Sequence, residues 1–541
     1  MSRHAIALAL ALVAAWLLLG TIAAAASQNL LFDGAMNLEV SRSLAEGHGP
    51  RRLYDSQDLF PAGVQTKEPY VLLGAAVFRV FGVGPVQAQL PNLLYLGLLL
   101  AAMIVVVRRL AGTGAALASA VLLLSLPQLW QYALNGYGEI PSLAFGFSAL
   151  GVVSWPGLLA RRALAKCALA GLLCGLALAT KTVGLVQVGG VGLVLGMRIL
   201  ADSPAPLRDM LRLVGAFLAA FVLPLVLVEW WRWSWLGTQA FLDWWDFQLS
   251  RILYQAGVAP TGAAAGGAAE PLSSKLSAHF GILARELHSS RFATACVLAV
   301  PLAAAVATHA GQDRASKWLV TGLAAIAVAY IAWWLGITPT EKAWLRRIYV
   351  GLACLGSIAA ISAGFAGQAL LRPGKPRWRV ANGIVLVALV ATFAPFVARA
   401  LDQPLEFERT QAVRHTLDAA DEVAALPANA QLFGFGWYSA PTVALYSNRR
   451  LLDLTDWPIG PLVGAPVYLV ADRATFVTGI IDGVLARYPH RQLLADNIDG
   501  QVYVLDMARP NDPFDEAQWQ AATAMAYFTQ GTYESTYGMR P

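Results

Sequence analysis

Five polar clusters interrupt an otherwise apolar chain, and each carries a group that can act on a proton or an anion. Asp33 stands in Leu31-Phe32-Asp33-Gly34-Ala35-Met36-Asn37-Leu38-Glu39, a few residues past the first long apolar segment. Lys67 and Glu68 lie in Thr66-Lys67-Glu68-Pro69, and Glu139 lies in Asn135-Gly136-Tyr137-Gly138-Glu139-Ile140-Pro141. Lys181 is squeezed into Thr180-Lys181-Thr182, and Arg346 and Arg347 follow Glu341-Lys342. A carboxylate can take a proton from an attacking hydroxyl. Cations can stabilise a phosphate as it leaves. One arginine about 4 Å from a phosphate, at an effective dielectric near 20, is worth roughly 4 kcal/mol, which is near a thousandfold in rate if fully expressed in the transition state.

The same residues also suit plainer roles. Asp-Gly-Ala-Met fits a helix N-cap. Pro69 can open a helix, with Lys67 snorkelling beside it. Glu139 near a helix start favours the macrodipole. Where these groups lie relative to a membrane therefore matters. Of 541 residues, 57% are hydrophobic and only 13% are charged, against about 25% charged in an ordinary soluble domain. That composition indicates a polytopic membrane protein. Apolar runs near 5–26, 86–107, 115–130, 140–160, 163–180, 183–200, 211–230, 292–309, 318–336, 347–371 and 380–401 read as about eleven transmembrane helices. The run at 5–26 is long for a signal peptide and reads as a retained anchor. Tyr70 to Phe81 is too short to span and reads as a helix in the interface, as does the 34–46 stretch that Asp33 introduces.

The net charge of +6 comes from basic residues in alternate short loops, which by the positive-inside rule puts the N-terminus in the cytoplasm. The outer side then holds the first outer loop (27–85), Glu139, Lys181, the 231–291 loop and the whole of 402–541. Nucleic-acid binding is not implied. Trp230, Trp231, Trp233, Trp235, Trp244 and Trp245 read as an aromatic belt at the membrane edge, with the lining of a lipid or sugar path as the other reading. Residues 256–271, within the 231–291 outer loop, are rich in Gly, Ala and Pro and read as a mobile stretch. The chain divides into a transmembrane domain, 1–401, and a small extracytoplasmic α/β domain, 402–541. In the latter, short apolar runs at 431–435, 467–470 and 502–505 predict strands, and 405–426 and 476–488 predict helices. The four cysteines lie in apolar segments without metal-ligand spacing. Arg346 and Arg347 oppose the positive-inside trend, which argues that they bind an anion.

One or two carboxylates and several cations thus share one face of the membrane. Transfer of a sugar from a lipid phosphate to an acceptor hydroxyl matches that set. The motifs resemble the GT-C membrane glycosyltransferases that use polyprenyl-phosphate sugars, in particular the group of protein O-mannosyltransferases and lipid A aminoarabinose transferases. The resemblance is carried by the Asp33 run ending in Leu44-Ala45-Glu46-Gly47-His48-Gly49 and by Lys67-Glu68-Pro69-Tyr70 continuing to Val80-Phe81-Gly82. Leu178-Ala179-Thr180-Lys181 and Arg346-Arg347-Ile348-Tyr349 add to it. It covers roughly 28–200 and 340–370.

The resemblance implies a GT-C-like fold, a bacterial inner membrane location, a polyprenyl-phosphate-linked sugar as donor and an inverting reaction. Asp33 would be the catalytic base. Lys67, Lys181 and Arg346 or Arg347 would hold the donor phosphate. Glu139 or Glu68 would be a second acidic residue toward the acceptor, which is a glycan, lipid or protein. Three positions depart from the group's pattern: Gly34 replaces an acidic residue, Glu68 replaces a proline, and Ile348 separates Arg347 from Tyr349. The sequence neither requires nor excludes a divalent cation. A lipid or sugar transporter and an inactive assembly subunit are the alternative readings.

Overall fold

The computed structural model describes residues 3–505 except 28–29, 31, 56–66, 128, 156–157, 159–161, 203–206, 256–270, 310–311, 339, 341–344, 372–375, 408–411, 436–439, 454–465, 473–490 and 497–499. The Gly/Ala/Pro-rich stretch at 256–271, the Glu341-Lys342 pair and the expected 476–488 helix therefore lie wholly or almost wholly outside the described residues.

Among the described residues nine helices are long and apolar enough to cross a membrane, and two shorter apolar helices accompany them. In chain order the helical part comprises α1 (Arg3–Ser27), α2 (Phe32–Ala45), α3 (Glu68–Phe81), α4 (Pro85–Ala111), α5 (Thr113–Leu124), α6 (Leu129–Leu134), α7 (Glu139–Ser154), α8 (Ala163–Thr180), α9 (Leu185–Asp202) and α10 (Leu207–Leu236). It continues with α11 (Thr238–Gln255), α12 (Leu272–Glu286), α13 (Arg291–His309), α14 (Arg314–Gly336), α15 (Leu345–Leu371) and α16 (Pro376–Phe407). The eleven apolar segments read from the sequence correspond to α1, α4, α5, α7, α8, α9, α10, α13, α14, α15 and α16. The expected interfacial helices are α2 and α3.

Helix α15 is the axis of the bundle. It packs against α4, α5, α7, α13, α14 and α16, and its buried surface mixes large side chains such as Tyr349, Leu355 and Phe365 with small ones such as Gly351, Ala353, Gly356 and Ala360. A helix apolar all round is stable only when surrounded, and small side chains let its neighbours approach. Its N-terminal turn carries Arg346 and Arg347. Helices α8 and α10 approach closely because Gly171 and Gly175 lack side chains: a Cβ at either position would overlap the α10 carbonyls of Phe217 or Phe221. That packing aligns the C-terminal end of α8, next to Lys181, with the rest of the bundle.

The C-terminal region adds α17 (Ala412–Ala425) and α18 (Ala440–Ser447) to one mixed sheet. Its strands are β1 (Tyr54–Asp55), β2 (Gln431–Phe435), β3 (Leu451–Asp453), β4 (Val467–Asp472), β5 (Arg491–Asp496) and β6 (Gly500–Leu505), in the order β1-β3-β2-β4-β6-β5. The first four are mutually parallel, and β6 runs antiparallel to both β4 and β5. The three strands expected at 431–435, 467–470 and 502–505 are present. Strand β1 comes from the first outer loop and pairs with Leu451 and Leu452. Glu39 on α2 holds that strand, since its carboxylate accepts the N–H groups of Leu53 and Tyr54 at 2.8 and 2.9 Å. Burial pushes the Glu39 carboxyl up to about 8, against the opposing effect of those bonds and of Arg52. Helix α18 then packs on α2, where Thr442 Oγ1 donates to Leu30 O at 2.8 Å and Arg42 donates to Leu445 O at 2.6 Å.

Candidate active site

Helix α2 begins at Phe32, so Asp33 lies in its first turn and does not precede it as a cap. The helix presses against the turn after α6 so closely that a Cβ at Gly34 would overlap the carbonyl oxygen of Asn135. This is the physical reason for glycine where an acidic residue was expected. Asn37 Nδ2 donates to Gly136 O at 2.9 Å and fixes the same approach.

Two cations meet Asp33. Arg346 Nη1 lies 3.3 Å and Lys67 Nζ 3.8 Å from Asp33 Oδ2. They come from opposite ends of the sequence, Arg346 from the first turn of α15 and Lys67 from the residue before α3. The N-terminus of α15 adds the positive end of its dipole beside Arg346. The Arg346 guanidinium lies over the ring of Tyr137, 4.6 Å from the centroid, which fixes the plane of its fork. Arg347, next along the helix, is buried at 8% exposure among the packed side chains.

Glu139, in the first turn of α7, is paired with Lys181, which also donates to Tyr137 O at 2.9 Å. Glu139 is buried, and its Oε2 accepts no hydrogen bond within the described residues. Burial lowers the Lys181 pKa to about 8. Glu139 opposes that shift, while the charges of Lys67 and Arg346 reinforce it. The two pairs therefore belong to one electrostatic cluster. Among the described residues no three His, Cys, Asp or Glu side chains gather as a metal-binding group.

Glu68 is committed elsewhere. It forms an ion pair with Arg232 of α10, and both side chains are only 2% exposed. Burial pushes the Glu68 carboxyl upward, and the adjacent guanidinium opposes this. Its other oxygen accepts the backbone N–H of Lys67 at 3.1 Å. Lys67 itself is left-handed, with φ 100° and ψ 38°, a conformation that costs a non-glycine residue about 1–3 kcal/mol.

Sequence reasoning thus marked Asp33, Lys67, Glu139, Lys181 and Arg346, which the fold brings to one end of the bundle. It missed Arg232 and the Tyr137 platform. The available signal for Arg232 was a charge inside the run Trp230-Trp231-Arg232-Trp233 at the end of an apolar helix.

No protein-family model matches the sequence, and no curated protein matches it. Solved structures do match in three dimensions. The ArnT structure from Cupriavidus metallidurans bound to undecaprenyl phosphate superposes with a TM-score of 0.59 at 16% identity, over 93% of this chain and 99% of that one. The archaeal oligosaccharyltransferase AglB from Archaeoglobus fulgidus, in complex with an inhibitory peptide and a dolichol-phosphate, matches with a TM-score of 0.50 at 12% identity. That match spans 93% of this chain and 75% of the other. With the helix order and the sheet described above, these likenesses make the fold of this chain the GT-C glycosyltransferase fold.

Proposed function

We propose that the protein is a membrane glycosyltransferase that moves a sugar from a polyprenyl-phosphate donor to an acceptor hydroxyl. The observation that carries the reading is the meeting of Asp33 with Lys67 and Arg346 at one end of the bundle. That a protein of the same fold binds undecaprenyl phosphate supports the choice of donor.

Asp33 takes the acceptor hydroxyl proton. The acceptor oxygen then forms a bond to the sugar anomeric carbon as the bond from that carbon to the phosphate oxygen breaks. The electron pair leaves with the polyprenyl phosphate, whose charge Lys67, Arg346 and Lys181 balance. A single displacement inverts the anomeric centre. Asp33 is held by the same two cations that would receive the phosphate. Donor binding therefore competes for them and releases the carboxylate from these two cations. Glu139, with an oxygen that accepts no hydrogen bond within the described residues, is proposed to orient the acceptor; Glu68, held by Arg232, is not. Arg347 is proposed to reinforce the positive field from within the bundle. The reading places residues 1–401 as the catalytic membrane domain and 402–541 as an extracytoplasmic domain, with the N-terminus cytoplasmic in a bacterial inner membrane.

The test is sugar transfer from a synthetic polyprenyl-phosphate sugar by wild type and by Asp33→Asn. The asparagine keeps the size of the side chain and removes the base, so kcat is expected to fall about a hundredfold to ten-thousandfold while the donor still binds. Full activity in Asp33→Asn would remove the base assignment. A wild type that moves the lipid across vesicles without cleaving it would favour a transporter.

A further inference from the structure

Arg232 is outside every segment that carries the proposed chemistry, yet it is among the most enclosed charges in the molecule. Three groups from three helices hold it. Glu68 of α3 takes one nitrogen, Glu229 of α10 takes another at 2.5 Å, and the Trp244 ring of α11 lies 3.8 Å from the guanidinium carbon. Glu229 in turn accepts the indole N–H of Trp245 at 2.8 Å. The corner between α10 and α11 is thereby locked to the start of α3.

The residue at that start is Lys67. An N-cap is ordinarily extended and is favoured by Ser, Thr, Asp or Asn, whose side chains bond the first turn. Lys67 is left-handed and makes no such bond. What holds it is the Glu68 carboxylate, which accepts the Lys67 N–H with one oxygen while Arg232 grips the other. In this left-handed turn the Lys67 ammonium lies 3.8 Å from Asp33 Oδ2.

We propose that Arg232 is a positioning residue for the donor-phosphate site. By clamping Glu68 it fixes the left-handed turn at Lys67 and so places the Lys67 ammonium beside Asp33 and Arg346. The inference rests on the reading of Lys67 as a ligand of the donor phosphate. It assigns the geometry of that ligand to a residue 165 positions away in the sequence, on α10.

The experiment measures binding of undecaprenyl phosphate to the full-length protein in detergent, together with thermal stability. Arg232→Met alone leaves Glu68 buried without its partner and risks unfolding. The pair Glu68→Gln with Arg232→Met removes both charges and is the working variant. It is expected to weaken binding roughly tenfold to a hundredfold, to about the level of Lys67→Met. When Lys67→Met is combined with that pair, no further loss is expected, because the pair acts through Lys67. Arg232→Lys, which keeps a charge for Glu68 but loses the fork and the stacking on Trp244, is expected to fall between wild type and the pair variant. Wild-type binding by the pair variant would overturn the proposal, and so would losses that multiply in the triple variant, since those mark a general structural role. A wild type that does not bind undecaprenyl phosphate would instead overturn the functional reading on which the proposal stands.

Discussion

At Lys181 a cation is wedged between two membrane-spanning helices, and its pKa is drawn down to about 8 chiefly by burial. The direction has two consequences. The protonated form is disfavoured in the folded state, so folding carries a cost below about pH 8. That cost is relieved as pH rises toward the ordinary lysine value near 10.4. For phosphate binding the sign is opposite, because the useful charge is present below about pH 8 and lost above it. The KM for the donor is therefore expected to rise above pH 8, at most about tenfold per pH unit for one ionisation. Lys181→Arg, which stays charged, is expected to flatten that limb of the pH profile. A profile unchanged by Lys181→Arg would remove this residue from the phosphate site. The candidates were legible at this scale because charge is costly at membrane depth and because Arg346 opposes the loop-charge trend. The choice between Arg346 and Arg347 was not legible. Neighbouring helix residues point about 100° apart, and only the packing of α15 fixes which of them faces Asp33. Nor was the fate of Glu68, whose partner is 164 residues away.

Helix α2 shows how an element places a proposed catalytic group by its closeness to a neighbour. Its contact with the turn at Asn135 leaves no room for a side chain at residue 34, one position from Asp33. Gly34→Ala is expected to destabilise the protein by about 1–3 kcal/mol through overpacking. It is also expected to reduce transfer more than its loss of stability explains, because the helix must shift and Asp33 with it. Thermal unfolding and kcat measured on the same preparation check both parts. Unchanged kcat with lowered stability would mean that α2 relaxes without moving Asp33. The long helices were readable from apolar length alone, since a 30 Å hydrocarbon core needs about 20 residues of helix. The start of α2 was not. The local pattern Asp-Gly-Ala-Met suits a cap, and only the fold puts Asp33 inside the first turn.

Across the whole molecule, the first outer loop and the C-terminal region share one sheet and one small core. Met36 and Tyr54 from the loop lie with Val423, Leu432, Val443 and Leu451 from the tail. A chain ended after Phe407 would uncover Met36 and leave β1 unpaired. Uncovering one such side chain costs about 1.5–3 kcal/mol. That truncation is expected to lower thermal stability and abolish transfer even though all the site residues remain. Full transfer by the truncated chain would show that the tail is dispensable to α2. Three of the four longer tail strands, β2, β4 and β6, were legible from their apolar runs, whereas β5 (Arg491–Asp496), with a charge at each end, was not. Strands β1 and β3 span two and three residues and carry too little pattern to be seen. Their pairing is a property of the assembled fold.

The sheet also sets a clock. Tyr54 is made about 400 residues before Leu451, which at 5–20 residues per second is roughly 20–80 s of synthesis. Through that interval β1 has no strand beside it, and the two hydrogen bonds to Glu39 are what the fold offers to keep it extended. The platform under Asp33 is closed by strands that emerge after the last membrane helix. A chain stalled before that point has every charged group of the site and lacks the surface that steadies them, so synthesis of the tail strands and competence of the site become a single event.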